Sequence, residues 1–509
     1  MEASVDQSEI QQFYKNQTAL VTGATGFLGK LVLEKLLRTV NLKHVYLLMR
    51  EKNGVDAETR CAEMFDSLAF GNLKRNDQDF FKKVSIILGD VEKADLGLSD
   101  YDRNLIVTEV NCVFHCGTDN QLGAPLRRAV RANVRATRDL LELAKQMEEL
   151  KSFVFVSSVY SNFPLYEIHE KFYAPKETAE NLIDLVDKND EAALETMENS
   201  LLGEWPDTYT FTMCAAEDLI KREGNCLPIS IIRPSMILPA NEEPMTGFVD
   251  EMSGLQADTV ARAMGVSKVN YYKNGTLDVV PVDHVVSLII ASGWYSALQR
   301  MRMTRGDVPN AEVTIYHCIS SQEKPITSDE WMGITHTEFR DVPTNKMIQL
   351  PISFKTGCYY NYKLLIFLLH TCMAFLCDTG LKLVGKTPCV MAMYKTLHRT
   401  QELLHPYLLR EWYFSNDNAQ KLLKRMSFMD RELYNFDILS LNWQTYLTNY
   451  ARGVRVYLLK DPMSTLKDAR RKQTRKLVTQ LVFAGFLVTI IYVISKFVLF
   501  RIILKLPIF

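Results

Sequence analysis

Through the first 160 residues, short apolar runs alternate with stretches of helical periodicity. This pattern predicts a parallel sheet with crossover helices. Residues 18–22, 44–49, 84–88, 111–115 and 153–157 read as strands. Between the last two, Leu126, Val130, Val134, Thr137, Leu141, Ala144 and Met147 recur at helical spacing. From Tyr160 to Glu204 the chain turns acidic and helix-prone without a strand pattern, so an insertion covering the site is expected. Residues 226–232 predict a further strand, which exits through Arg233-Pro234-Ser235. No internal repeat interrupts this order.

After about residue 350 the chain becomes helical and aromatic-rich. The apolar run 364–377 is short for a bilayer crossing, so a buried or interfacial helix is expected there. Residues 477–495 are different, because they form 19 residues without a formal charge, enough to span the hydrocarbon as a helix. Lys467, Arg470, Arg471, Lys472, Arg475 and Lys476 precede them, opposed only by Asp468, a bias that keeps the preceding chain cytosolic. The last stretch is apolar but broken by Lys496, Arg501 and Lys505, and either spans or lies on the membrane. The expected organisation is a nucleotide-binding domain over 1–350, a helical region over 351–465 and a transmembrane helix over 477–495.

Composition narrows the class. Of 509 residues, 47% are hydrophobic and 23% charged, as in globular proteins, and a net charge of -1 offers no reason to expect nucleic acid. The ten cysteines show no metal-like spacing, and Cys112 and Cys116 beside His115 read as core residues. A polar N-terminus lacks the apolar stretch of a cleaved signal peptide.

The first candidate chemistry lies in Thr22-Gly23-Ala24-Thr25-Gly26-Phe27-Leu28-Gly29, after a predicted strand and at the start of a helix. Gly23 suits a tight turn, Gly26 a close approach of pyrophosphate, and Gly29 helix-on-strand packing. The phosphates would meet free N–H groups at the helix start. Arg50 ends the second strand, where arginine suits a 2′-phosphate, so NADPH is expected over NADH, with Lys52 assisting. Asp90, in Gly89-Asp90-Val91, is a candidate adenine contact. Ser157-Ser158 ends the fifth strand at the ligand-binding edge. Ser158 and Tyr209 would polarise a carbonyl oxygen, with Tyr209 delivering the proton. Arg127, Arg128, Arg131, Arg135 and Arg138 form a stripe on one helix, read as a solvated face in preference to a site for CoA phosphates or anionic lipid.

Trp205-Pro206-Asp207-Thr208-Tyr209-Thr210-Phe211-Thr212-Met213 resembles the active-site helix of short-chain dehydrogenase/reductases. In those enzymes a lysine follows the tyrosine by four residues, on the same helical face. Here Met213 holds that position. More broadly, the glycine loop, FVFVSSVYSN, LLGEWPDTYTFT, IIRPSMI, EEPMTGFVD and the hydrophobic C-terminal region resemble insect-type fatty acyl-CoA reductases over nearly the whole chain. The resemblance implies an extended short-chain dehydrogenase/reductase. Its doubly wound Rossmann-type parallel sheet would carry a helical C-terminal region and a C-terminal transmembrane helix. It also implies NADPH-dependent reduction of long-chain fatty acyl-CoA, through an aldehyde, to a primary alcohol, and an acyl channel partly built by the C-terminal region. Asn133 matches the family's helix asparagine, which helps to position a proton-relay water, and Pro234 falls in its cofactor motif. Cys116-Gly117-Thr118 and Asp119-Asn120-Gln121 depart from the family pattern, as Met213 does. A catalytically impaired relative that binds cofactor or lipid is the alternative. The expected partners are acyl-CoA and a membrane, with a homodimer left open. The expected location is single-pass with a cytosolic catalytic domain, at the endoplasmic reticulum before the peroxisome.

Overall fold

The computed structural model describes residues 7–225, 227–305 and 312–505. Its central sheet contains β1 (Thr18–Thr22), β2 (His44–Met49), β3 (Val84–Leu88), β4 (Cys112–His115), β5 (Ser152–Val156), β6 (Ile229–Pro234) and β7 (Thr314–Cys318). They pair in parallel in the order β7-β6-β5-β4-β1-β2-β3. Chain order reverses between β1 and β4, and a ligand crevice opens outside the carboxyl ends of strands at such a reversal.

Helices α1 (Phe27–Thr39), α2 (126–146), α3 (Thr208–Glu223), α4 (Gly254–Ala263) and α5 (Val282–Thr304) surround the sheet or extend it. One sheet face packs against α1 and α5, and the other against α2 and α3. Strands buried on both faces have no polar side to alternate with, and so read as continuous apolar runs. Helix α2 holds a π-helical turn at Val130–Arg135, which carries Asn133.

Three sequence expectations shift. The strand expected at 226–232 begins at Ile229, because a turn closes between Leu227 N–H and the Gly224 carbonyl, and Pro228 has no N–H to donate. Cys226 lies outside the described residues. Strand β7 was not anticipated, although its Thr-Ile-Tyr-His-Cys run has strand character. Within 160–204, Glu167–Ile168 pairs with Tyr413–Phe414, a contact too short to leave a pattern. The rest of that segment forms helices Ala179–Lys188 and Glu191–Leu202, and Arg127 of α2 binds the carbonyls of Val186 and Asn189 and the Glu191 carboxylate.

The C-terminal region contains α6 (Tyr359–Leu383), α7 (Val390–Leu408) and α8 (Leu466–Lys505). It is joined to the N-terminal region: Asp430 accepts from the Ser8 hydroxyl and from the backbone N–H groups of Glu9 and Ile10. The 364–377 run is not buried. It belongs to a 25-residue helix whose Leu364, Phe367, Phe375 and Leu376 are exposed. Helix α8 contains the 477–495 segment, and its basic start is docked: Arg470, Lys472 and Lys476 donate to the carbonyls of Asp341, Asn345 and Ile348.

Candidate active site

A cleft of about 1150 Å³ opens at the carboxyl edge of β1, β4 and β5, and the whole glycine loop from Gly23 to Gly29 contributes to its wall, Ala24 excepted. Gly23 has φ of +71°, and a Cβ there would stand 2.6 Å from the Cys116 carbonyl oxygen. A Cβ on Gly29 would stand 2.4 Å from the Gly23 oxygen, so this glycine lets α1 close on the turn. Gly26 is the N-cap and has no side chain with which to cap the helix, which leaves the first N–H groups of α1 for an anion. The loop's tight partner is the Cys116-Gly117 backbone, which explains small residues there. Gly117 N–H donates to Thr22 Oγ1 at 3.0 Å.

Arg50, Lys52 and Asp90 line the same cleft. The sequence did not reveal that Arg50 is held between two carboxylates, Asp90 at 3.1 Å and Glu92 at 2.8 Å. Nor did it reveal Arg60, which donates to Thr25 Oγ1 at 3.0 Å and to the Arg50 carbonyl, and also lines the cleft. Arg60 lies in a helix with no motif of its own, and only the fold brings it to the loop. The arginine stripe is neither free nor simply solvated, because all five members are ion-paired: Arg127 with Glu191, Arg128 with Asp119, Arg131 and Arg135 with Asp187, Arg138 with Asp139.

Ser158 and Tyr209 both line the cleft, as does Pro234 at the end of β6. Burial pushes the Tyr209 phenol well above its ordinary pKa, with Asp207 and Glu217 adding to the shift and the Ser158 hydroxyl opposing it. The phenol is therefore held in its proton-donating form. Asp207 is the N-cap of α3, accepting from Thr210 N–H at 2.9 Å, and its other oxygen receives the Tyr407 hydroxyl of α7 at 2.5 Å. The Asp-x-x-Thr spacing at a helix start was a legible capping signal. Beneath the serines, Ser157 donates to Glu217, which is ion-paired with the fully buried Arg233.

Met213 and Asn133 stand behind the cleft wall. Met213 is fully buried in the apolar cluster against which Tyr209 packs. Asn133 accepts from Asp119 N–H at 2.6 Å and donates to Thr212 Oγ1 at 2.9 Å, tying the π turn of α2 to α3 one residue before Met213. His115 sits between Thr22 and Thr137, and burial lowers its pKa to about 3, consistent with a core role for it and for Cys112.

Residues 116–123, 235–237 and 250–257 add to the cleft wall, as does α7, where Arg399, Leu403 and Tyr407 face it. Of the 160–204 segment, Tyr160 reaches it.

Two family profiles, both described as male sterility protein, match residues 21–289 and 369–461. Fatty acyl-CoA reductase 1 of Xenopus laevis is 32% identical over 464 residues, covering 91% of this chain and 88% of that protein. The chain belongs to the fatty acyl-CoA reductase family. Fatty acyl-CoA reductase 2 of Bos taurus is 33% identical over 92% of this chain and 90% of its own length. For fatty acyl-CoA reductase wat of Drosophila melanogaster the figures are 31%, 92% and 89%. Among solved structures, the reductase domain of a nonribosomal peptide synthetase from Mycobacterium tuberculosis superposes with a TM-score of 0.57 at 19% identity. It covers 87% of this chain and 92% of that one. The terminal reductase domain of the myxalamid pathway gives a TM-score of 0.54 at 18% identity, covering 89% and 96%. These two share the fold of this chain, a doubly wound parallel sheet of Rossmann type. The first profile and the glycine cradle agree on a nicotinamide dinucleotide.

Proposed function

We propose that this protein reduces long-chain fatty acyl-CoA to the primary alcohol with NADPH, at the cytosolic surface of a membrane. The observation that carries the reading is that Tyr209 and Ser158 share one cleft with the glycine loop, in a chain about one-third identical to fatty acyl-CoA reductases. The dinucleotide supplies hydride when bound. Ser158 hydrogen-bonds the substrate oxygen, and Tyr209 donates a proton to it as charge develops. With hydride supplied to the thioester carbon, the proton that Tyr209 gave the oxygen would pass on to sulfur as the C–S bond breaks, releasing CoA thiol and an aldehyde. On the aldehyde, Tyr209, reprotonated from solvent, would protonate the oxygen again and complete the alcohol. Overall, one acyl-CoA, two NADPH and two protons yield alcohol, CoA and two NADP+.

Support for the 2′-phosphate comes from Arg50, Lys52 and Arg60, three cations on one side of the cleft. Pairing with Asp90 and Glu92 fixes Arg50 in place but offsets its charge, which makes Arg60 the stronger candidate for the phosphate. Membrane attachment is supported by the uncharged 477–495 stretch within α8, its basic approach, and the exposed apolar face of α6, which suits the interface. The opposing reading, binding without turnover, is favoured by one residue, Met213.

The decisive assay supplies membranes bearing the protein with long-chain acyl-CoA and NADPH, and quantifies alcohol. Wild type is expected above Tyr209→Phe by about 10²–10⁴-fold. Equal product from both, with cofactor binding retained, establishes the non-catalytic reading.

A further inference from the structure

Helix α7 borders the cleft along a single face, where Thr396, Arg399, Thr400, Leu403, Leu404 and Tyr407 recur at helical spacing. That face is graded. Tyr407 is buried beside the reacting centre, where its hydroxyl donates to Asp207, the N-cap of the helix that carries Tyr209. Leu403 and Leu404 follow, and Arg399, which is exposed, stands at the cleft mouth. The step from Tyr407 back to Arg399 is about 12 Å along the helix. Arg399 also lacks a counter-ion. Of the other cations in the cleft wall, Lys30, Arg50 and Arg128 are paired with Asp250, Asp90 and Asp119. Arg60 is hydrogen-bonded to Thr25, and Lys52 stands with Arg50 on the cofactor side. Among the described residues, the Arg399 guanidinium has neither an ion-pair nor a hydrogen-bond partner. Lys395, one turn earlier, is exposed too and brings a second positive charge to the same side of α7. Like charges so placed cost stability, and an anion beside them offsets that cost.

We propose that Arg399 grips the pyrophosphate of the substrate's coenzyme A half, with Lys395 reinforcing it, and so selects CoA thioesters over phosphate-free thioesters of the same acyl group. The inference rests on the acyl-CoA reading above. The spacing fits that role. With the thioester at Tyr209 and Ser158, the pantetheine arm must reach from the reacting centre to the mouth. Extended, it spans about 15 Å from sulfur to the first phosphorus, at about 3.4 Å for every three chain bonds. The helix step from Tyr407 to Arg399, together with the reach of the arginine side chain, matches that length. Between the two ends Leu403 offers the arm an apolar flank. A guanidinium presents a planar fork of donors that suits a phosphate, and it carries its charge throughout the working pH range. The phosphates of the dinucleotide have a separate seat, at the glycine loop and beside Arg60, so the two ligands do not compete for Arg399.

Two measurements on the full-length protein in detergent test this. The first needs no turnover: affinities for free CoA, for pantetheine and for NADPH are measured by calorimetry. Wild type is expected to bind CoA about tenfold or more tightly than pantetheine. Arg399→Ala loses most of that preference and Arg399→Lys keeps part of it, while NADPH affinity stays within about twofold of wild type in both. In the second, kcat/KM is compared for palmitoyl-CoA and palmitoyl-pantetheine. The ratio of the two is expected to fall by about tenfold in Arg399→Ala, through KM and not kcat. An equal loss on both thioesters, an unmoved ratio, or a parallel loss of NADPH affinity overturns the proposal. So does a wild type that binds CoA and pantetheine alike. A wild type that binds NADPH but neither CoA nor palmitoyl-CoA refutes the acyl-CoA reading beneath it.

Discussion

Tyr209 illustrates how one substitution in the sequence and one environment in the fold act in opposite directions. Lysine four residues on would favour the phenolate, whereas burial among apolar groups favours the phenol, and Met213 adds to that apolar wall. The folded-state pKa is raised, so the proton is present throughout the neutral range and is lost only in strong alkali. Alcohol formation by the wild type is therefore expected to show no falling limb due to Tyr209 up to about pH 10. In Met213→Lys the cation stabilises the phenolate, so a falling limb should move down in pH, and turnover at neutral pH should rise by about tenfold or more. A wild-type limb near neutrality would contradict the assignment of Tyr209. The same exchange puts an ammonium at a fully buried position, and thermal unfolding should show a loss of about 1–3 kcal/mol. That the glycine loop, Ser158 and Tyr209 would line one cleft was legible because each sits in a contiguous motif. Arg60, Glu92 and Glu217 were not, because each acquires its role from a partner 10 to 42 residues away.

At the scale of elements, α3 is the lever on which the phenol rides, and Asp207 anchors its start. It caps the helix, and it takes the Tyr407 hydroxyl from α7. Asp207→Ala removes the cap, worth about 1 kcal/mol, and strands a buried hydroxyl at a further cost of about 1–3 kcal/mol. Tyr407→Phe should cost less, about 1 kcal/mol, since the cap survives. Thermal unfolding of the detergent-solubilised protein checks the order, and an Asp207→Ala protein within about 0.5 kcal/mol of wild type would refute the coupling. Strand positions were readable because buried parallel strands are runs of apolar residues; β1, β2 and even the half-buried edge strand β3 fall where the pattern puts them. Helix α6 was read as buried or interfacial because its unbroken apolar core is short, but the surrounding turns lengthen it to 25 residues and leave its apolar side chains outside the core. Hydropathy alone does not distinguish a residue hidden by protein from one meant for lipid.

For the molecule as a whole, the exposed α6 face and the uncharged 477–495 stretch of α8 lead us to expect two independent grips on a membrane. Removing residues 466–509 should leave a fraction of the protein in the membrane pellet. Adding Phe375→Glu and Leu376→Glu should release it, since each lost apolar side chain forfeits about 1.5–3 kcal/mol of burial. Full release by truncation alone would mean that α6 does not touch lipid.

The central claim is that one cleft delivers two hydrides from a nicotinamide to a single acyl carbon, with Tyr209 returning the proton. NADPH deuterated at the transferable position, given with unlabelled long-chain acyl-CoA, tests it by mass spectrometry of the product. The expected result is a primary alcohol carrying two deuterium atoms on C1 and almost none from Tyr209→Phe. Alcohol without label, or bound NADPH with no labelled aldehyde or alcohol at all, would contradict it.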